Sequence, residues 1–235
     1  MSQVALKINL AVSCHVEELM KPLSDNLDVY LCVTPVIDWN VATVANKAAE
    51  VTNYCRSDVE KAKCLFEWVR DNIPHSKDID SELVTCSASE VLEAGTGICF
   101  AKSHLLAGML RAVRIPAGFC YQVCTRNEPY QGMVLHGFNG IYLTSLNRWV
   151  RVDPRGNTGT INAQFNLQEE CLAFPPDLTR GEFVFDEIWS NPVPEVVDVL
   201  TKFKSRREMW SHLPASIHSI DSNTASVVTR VPITL

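Results

Sequence analysis

The chain has 235 residues, of which 46% are hydrophobic and 20% are charged, a composition typical of a folded globular protein. Its formal net charge of −6 at pH 7 argues against nucleic acid and anionic membranes as partners. No segment has the apolar length of a transmembrane helix, and the N-terminus lacks the apolar core and cleavage site of a secretory signal, so we expect a cytoplasmic protein.

The cysteines are expected to be reduced thiols. There are nine of them, an odd and fairly high number, and without an export signal most should pack as small apolar side chains. Cys120 and Cys124 lie in a strand-like run at a spacing that points both to one face, but they lack the C-x-x-C spacing of a metal site. Cys14-His15 is an isolated pair without further ligands. We therefore predict no metal and no cofactor.

The N-terminal part mixes strands and helices. Residues 1–10 alternate apolar and polar side chains as a half-buried strand does, and residues 28–37 predict a second strand that ends at a proline. Residues 41–54 are rich in alanine, with apolar residues at helical spacing. A capping-box pattern at residues 57–60 then predicts a helix that stops before Pro74.

The following elements place a cysteine at the start of a long helix. A second capping box, at residues 87–90, predicts a short helix over residues 89–94, which Gly95 ends. Glycines in the turn at residues 95–97 allow backbone conformations that a side chain would forbid. An apolar helix is predicted from Cys99 to about Val113, with one broad buried face.

Cys99 falls in the first turn of that helix. Unpaired backbone N–H groups and the positive end of the helix dipole favour a thiolate over a thiol there. The thiolate is the reactive form, so the position suits a nucleophile, and the same N–H groups could donate to an oxyanion. The alternative for a single cysteine at a helix start is plain core packing.

Three strands are predicted after the helix. Their ranges are 119–124, 133–143 and 149–153. The second carries His136, the third ends in Asp153, and a short turn at residues 144–147 joins them, so we expect antiparallel pairing with the two side chains at about the same level. An aspartate there could accept the histidine N–H and present the other ring nitrogen to a sulfur atom.

The order of these motifs resembles the transglutaminase-like superfamily. The motifs are Gly97-Ile98-Cys99 opening a helix, the helix end Arg111-Ala112-Val113-Arg114-Ile115-Pro116-Ala117-Gly118, His136 on a strand, and Trp149-Val150-Arg151-Val152-Asp153. The resemblance implies a papain-like α+β fold in which the helix bearing the cysteine packs on an antiparallel sheet bearing the histidine and the aspartate. It further implies a catalytic triad of Cys99 as nucleophile, His136 as general base and acid, and Asp153 as its orienter.

The extent of the resemblance predicts one transglutaminase-like domain over residues 1–235, as in compact bacterial members. The motif core spans about residues 85–165, preceded by an N-terminal helical and strand part, 1–84, and followed by a C-terminal extension, 180–235. Residues 182–189 should wrap back over the core before a helix near residues 195–203. Residues 211–235 fit a terminal strand or a loose end, and Pro232 argues against a central strand there.

Two features depart from the family's pattern. The histidine motif reads His136-Gly137-Phe138, where many members carry His-Ala-Trp, so a different groove floor is expected. No acidic cluster suggests the calcium sites of animal transglutaminases, and this length leaves no room for their flanking β-sandwich domains. Calcium-dependent protein crosslinking is therefore not expected.

Several other side chains offer alternative roles. His75 is a rival base, although it precedes the cysteine and lies just beyond a helix, and His104 should be turned away from the sulfur by its position on the cysteine helix. Arg151 and Arg155 either bind a substrate carboxylate or, as we favour, are solvated. Two tryptophans could line the groove, but core packing is the commoner role. They are Trp39 and Trp149.

The predicted chemistry is acyl transfer through a thioester on Cys99. The thiolate attacks an amide or ester carbonyl, and the oxyanion is held by the backbone N–H of Cys99 and by a second donor that the sequence does not identify. Water as acceptor gives an amidase or cysteine protease, whereas an amine gives a transamidase or amide synthase. We favour hydrolysis of a peptide, protein or small amide substrate. A non-catalytic binding or scaffold domain of the same fold is the alternative from another class, and the oligomeric state is left open.

Overall fold

The computed structural model describes residues 20–126 and 129–218. The predicted strand at residues 1–10, the pair Cys14-His15 and the tail from residue 219 lie outside these ranges. Within them, the helices are α1 (Ala42–Val51), α2 (Asp58–Asn72), α3 (Ala88–Ala94), α4 (Cys99–Ala112), α5 (Pro194–Lys202) and α6 (Arg206–Trp210). The strands are β1 (Lys21–Pro22), β2 (Ala117–Thr125), β3 (Met133–Leu143), β4 (Arg148–Val152), β5 (Phe183–Val184) and β6 (Glu187–Ile188). This mixture of helices and sheet confirms the predicted α+β class.

The main sheet is antiparallel and has the strand order β4-β3-β2-β5. Strand β3 is its longest strand and pairs on one side with β2, from Ala117 opposite Ile141 to Thr125 opposite Met133. On the other side it pairs with β4 through the predicted short turn, with Leu143 opposite Arg148. This register carries the start of β3 towards the residues that follow β4, which is the juxtaposition that the sequence predicts for His136 and Asp153.

Helix α4 lies in the middle of the molecule, against α1, α2 and α3 and against strands β2 and β3. Every residue from Phe100 to Arg111 is buried, so the prediction of one buried face was too narrow. The two buried cations on this helix are satisfied by backbone carbonyls. Arg111 donates to the carbonyl oxygens of Ala117 and Cys32, and Lys102 donates to that of Arg70 at 3.3 Å.

The helices of the N-terminal half begin and end where the capping patterns place them. Ser57 accepts a hydrogen bond from the backbone N–H of Glu60 at 3.1 Å at the start of α2, which ends at Asn72, before the proline. Ser87 and Glu90 form a reciprocal capping box at the start of α3. Each cap forms hydrogen bonds between residues only three apart. These helix boundaries can therefore be predicted from the local sequence.

The strand predicted over residues 28–37 is wrong. The chain there forms a 3-10 helix at Leu27–Tyr30, followed by turns and bends. The side chain of Asn26 caps this helix by accepting from the N–H of Asp28 at 3.0 Å. Tyr30 packs edge-on against Trp149, with ring centroids 4.8 Å apart. Side-chain contacts hold this segment in place of strand pairing.

The C-terminal extension returns to the sheet, as predicted. Strand β5 pairs with the β2 edge, and β6 pairs with β1 in a separate parallel two-stranded sheet. Beyond α5, the backbone N–H of Leu135 on β3 donates to the carbonyl of Pro214 at 2.7 Å. No helix in the described ranges is long and apolar enough to cross a membrane.

Candidate active site

Cys99 is the first residue of α4, and its side chain is partly exposed. No side chain caps this helix, because Ile98 occupies the N-cap position. The backbone N–H groups of the first turn are therefore free of side-chain acceptors. The approach to this turn is tight, since a Cβ on Gly97 would lie 2.9 Å from the Cβ of Ala101. Glycine at position 97 lets the chain lie directly against the helix that it enters.

His136 and Asp153 form a buried pair. The Nε2 atom of His136 lies 2.8 Å from Oδ2 of Asp153, and the side chains are 5% and 0% exposed. Asp153 also accepts hydrogen bonds from the backbone N–H groups of Arg155, at 3.1 Å, and Ala173, at 2.9 Å. These donors fix the carboxylate, so the aspartate holds the imidazole in one orientation.

Cys99 lines the same cleft as His136 and is close enough for its negative charge to act on the imidazole. Because Nε2 is bound to Asp153, Nδ1 is the ring nitrogen left for the sulfur. The structure thus brings together Cys99, His136 and Asp153, which lie at the start of α4, on β3 and directly after β4. Such an arrangement can pass a proton between a thiol and an imidazole.

His136 and Asp153 stabilise each other's charged forms. Burial lowers the pKa of His136, but the negative charge of Asp153 and then that of Cys99 more than offset it and raise the pKa to about 10. Burial would raise the pKa of Asp153, yet the imidazolium and the hydrogen bonds to the carboxylate bring it below its ordinary value. At neutral pH the pair is therefore an imidazolium beside a carboxylate.

A cleft of about 500 Å³ opens over Cys99 and His136. Two aromatic residues that sequence reasoning missed also line it. Phe174 places its ring edge-on to His136, with centroids 5.0 Å apart, and Trp210 does the same to His75 at 6.4 Å. Both follow the last motif in irregular or short elements, so no local pattern signalled them.

Close packing explains why the histidine motif has glycine at position 137. A Cβ on Gly137 would lie 2.6 Å from Cδ1 of Phe100, the residue that follows Cys99 on α4. Phe138 is fully buried and stacks on the His136 ring with centroids 6.1 Å apart. The departure from His-Ala-Trp therefore accompanies a close approach between β3 and the cysteine helix.

The two candidate histidines outside the pair differ in their surroundings. His104 is buried, with Nδ1 2.7 Å from the carbonyl oxygen of Cys86, and burial lowers its pKa to about 4. It packs in the core and does not line the cleft. His75, by contrast, lines the same cleft as Cys99 and His136.

The prediction that Arg151 and Arg155 are solvated was wrong, since both are buried. Arg151 donates to a carboxylate oxygen of Glu170 at 3.2 Å and to the carbonyl of Phe185 at 2.8 Å. Arg155 lines the cleft and makes a two-point contact with Asp78, one bond of which measures 2.8 Å. The sequence around the end of β4 gave no sign that distant residues would cover these guanidinium groups.

The tryptophans and cysteines singled out by the sequence pack as apolar side chains for the most part. Trp149 is buried, and Trp39 donates its indole N–H to the carbonyl of Leu31 at 3.1 Å. Neither lines the cleft. Cys120 and Cys124 are buried, and burial raises the pKa of each to about 12, although Cys124 also borders the cleft. Among the described residues, no three His, Cys, Asp or Glu side chains are grouped as metal ligands.

Comparison with known proteins gives a family match and distant structural neighbours. A candidate cysteine protease from Cytophaga hutchinsonii has a TM-score of 0.47 and 17% identity over 57% of this chain and 43% of its own. A candidate protease from Parabacteroides distasonis has a TM-score of 0.35 and 13% identity over 60% and 30%. A TGase has a TM-score of 0.38 and 16% identity over 58% and 37%. This chain thus spans less than half the length of each, and no curated protein matches its sequence.

The family match concerns the segment that holds the three motifs. Residues 45–154, slightly less than half of the chain, match the transglutaminase-like superfamily. They run from within α1 to the residue that follows Asp153, and so include the cysteine helix and strands β2 to β4. The resemblance drawn from the motifs is thereby confirmed for residues 45–154, which match the transglutaminase-like superfamily.

Proposed function

We propose that this protein is a thiol acyl-transfer enzyme that works through a thioester on Cys99. One observation carries the proposal. Cys99, at the uncapped start of α4, shares a cleft with the imidazole of His136, whose Nε2 atom is 2.8 Å from the buried carboxylate of Asp153. A nucleophile, a base and an orienting group in this relation are the parts required for acyl transfer.

The reaction begins from an ion pair in which the proton of the Cys99 thiol already resides on Nδ1 of the His136 imidazolium. The thiolate then attacks the carbonyl carbon of an amide or ester, an S–C bond forms, and the π electrons of the carbonyl move onto oxygen. The backbone N–H of Cys99 donates to this oxyanion. When the carbonyl reforms, the bond to the leaving nitrogen or oxygen breaks, and the imidazolium returns its proton to that atom.

We further propose water as the acceptor of the acyl group. His136 removes a proton from water, hydroxide attacks the thioester, and the S–C bond breaks to release an acid and the Cys99 sulfur. The cleft supports this choice because charged side chains line it, among them Arg180, whose side chain is 53% exposed. Such groups keep water next to the thioester, whereas efficient transfer to an amine requires water to be excluded.

Selective alkylation tests the nucleophile. At neutral pH, iodoacetamide should modify Cys99 much faster than the remaining cysteines, as followed by mass spectrometry of peptides over time. Cys32 is the control within the same chain, because it is exposed whereas Cys99 is only partly exposed. Labelling of Cys99 no faster than Cys32 would contradict an activated thiol and favour a non-catalytic domain.

A second experiment distinguishes hydrolysis from transfer. The protein is acylated with a glutamine-containing peptide or with p-nitrophenyl acetate, and a primary amine is then added to half of the sample. We expect free acid in both halves, at equal rates, by mass spectrometry. Formation of the amide as main product would replace the hydrolase proposal by a transamidase.

A further inference from the structure

His75 is a buried polar side chain in the cleft that the steps above leave without a role. It is 5% exposed and follows the end of α2. Its ring lines the same cleft as Cys99 and His136 and packs edge-on against Trp210. A buried imidazole beside a nucleophile calls for an account of its hydrogen bonds.

The backbone of His75 is tied to the turn that delivers Cys99. His75 forms a parallel β-bridge with Gly97, and the N–H of Ser76 donates to the Gly97 carbonyl at 3.1 Å. The hydroxyl of Thr96 donates to the carbonyl of Pro74 at 2.8 Å. The position of the His75 ring relative to the start of α4 is therefore fixed by bonds on both sides of it.

The hydrogen bonds of the ring determine its tautomer. The backbone N–H of Lys77 donates to Nδ1 of His75 at 3.2 Å, so Nδ1 carries no proton and Nε2 does. Within the described residues Nε2 has no hydrogen-bond partner, and it is not among the unpartnered atoms sealed from solvent. The Nε2–H group is therefore a donor that opens on the cleft.

The surroundings keep this ring neutral. Burial, and then the positive charges of Arg155, Lys102 and His136, hold the pKa of His75 well below its ordinary value. A neutral imidazole whose Nδ1 is already occupied cannot take a proton from the thiol. It can still donate from Nε2 over the whole neutral range. These facts exclude His75 as the rival base and suit it to a different task.

We propose that the Nε2–H of His75 is the second donor to the oxyanion, beside the backbone N–H of Cys99. This inference rests on the proposed function, because it assigns His75 a role in stabilising the oxyanion of the same acyl-transfer step. The oxyanion that forms when Cys99 attacks a carbonyl accepts both donors, and no proton is transferred to it. A fixed, neutral donor stabilises the developing charge without any reorganisation of the site.

Two reagents that attack the same sulfur separate this role from a structural one. p-Nitrophenyl acetate acylates a thiolate through a tetrahedral oxyanion, whereas iodoacetamide alkylates it by displacement at carbon and forms no oxyanion. His75→Phe keeps a flat ring without a donor, and His75→Gln keeps an amide N–H. We expect His75→Phe to lower the rate of Cys99 acylation by about 10²- to 10³-fold. The rate of alkylation should keep its wild-type value, and His75→Gln should recover part of the acylation rate.

The outcomes that overturn the inference are distinct from failure of the proposed function. Wild-type acylation in His75→Phe, or an equal loss in acylation and alkylation, would show that His75 is not an oxyanion donor. Absence of acylation at Cys99 in the wild-type protein would instead refute the proposed function, and the inference with it.

A measurement on the wild-type protein covers the case in which His75→Phe does not fold. A small aldehyde adds to Cys99 and places an oxygen in the oxyanion position. In a protein labelled with ¹⁵N-histidine, the Nε2–H proton resonance of His75 should move downfield when the adduct forms. A resonance unchanged on adduct formation would overturn the proposal.

Discussion

Two buried histidines border the same cleft and are held in opposite states of charge. His136, on β3, has a carboxylate at 2.8 Å, and its pKa is raised to about 10. His75, after α2, has its pKa lowered well below the usual value by burial and then by the positive charges of Arg155, Lys102 and His136. Burial acts in the same direction on both, so burial does not explain the difference. The charge of the nearest neighbours decides which wall of the cleft is cationic and which is neutral.

The largest effect is expected when His136 loses its neighbouring negative charge and so becomes neutral, as His75 is. Asp153→Asn keeps the shape of the side chain but removes its charge, so the pKa of His136 should fall and the imidazole should become neutral. We expect the rate of Cys99 acylation by p-nitrophenyl acetate at pH 7 to drop by about 10²- to 10⁴-fold. Stopped-flow absorbance of released p-nitrophenol measures this rate.

Glu170→Gln is the matched control for that substitution. It removes a carboxylate that pairs with Arg151 and does not line the cleft. Its acylation rate should equal that of the wild type. A wild-type rate in Asp153→Asn would show that the charge of Asp153 does not govern His136, and the contrast between the two histidines would lose its explanation.

The dependence of stability on pH should have opposite signs for His136 and for a buried cation near His75. The pKa of His136 in the folded state, about 10, exceeds the ordinary 6.5, so its stabilising contribution is complete below pH 6.5 and is lost as the pH rises towards 10. Lys102, which lies near His75, is the opposite case. Burial, and then the charge of Arg155, lower its pKa from 10.5 to about 7, so the cost of burying the ammonium disappears as the pH rises from 7 to 10.5.

These two contributions offset each other in the wild type, so single variants are needed to expose them. Relative to wild type, His136→Asn should lose less stability as the pH is raised from 6.5 to 10, and Lys102→Met should lose more. The changes are expected to be on the order of a few kcal/mol. Urea unfolding at several pH values measures them. The buried cysteines titrate in all three proteins and cancel in the differences. Slopes of equal sign would contradict the comparison.

A smaller effect is expected from the contact between β3 and the cysteine helix. Gly137→Ala introduces a Cβ 2.6 Å from Cδ1 of Phe100, so one of the two elements must shift. We expect a loss of about 1–3 kcal/mol in the free energy of unfolding, as for other overpacked cores. Phe100→Leu in the same chain should restore part of it. Additive losses in the double variant would show that the two residues do not compete for this space.

Local signals account for the parts of the fold that the sequence predicts well. The caps at Ser57 and Ser87 and the short turn before β4 act over a few residues, and the observed boundaries follow them. The antiparallel pairing of β3 and β4 then places His136 and Asp153 together, because the register of a hairpin follows from its turn. The α+β class was accessible for the same reason.

The wrong predictions share one cause, which is contact with residues that lie far away in the sequence. Residues 28–37 have the composition of a strand, but Tyr30 is anchored by Trp149 and by the carbonyl of Ile188, to which its hydroxyl donates at 3.0 Å. Arg155 was expected in solvent, and Asp78, far from it in sequence, draws it into the cleft wall. A pattern of apolar and polar residues carries no information on which distant group will satisfy a given polar atom.

The sequence by itself determined the helix that presents Cys99, the strands that carry His136 and Asp153, and the match of residues 45–154 to the transglutaminase-like superfamily. Each of these depends on spacing within a short segment or on the order of motifs. Only the tertiary structure decided that His75 shares their cleft and is neutral there. The charge of an imidazole depends on the field of groups within a few ångströms, and folding gathers those groups from separate parts of the chain.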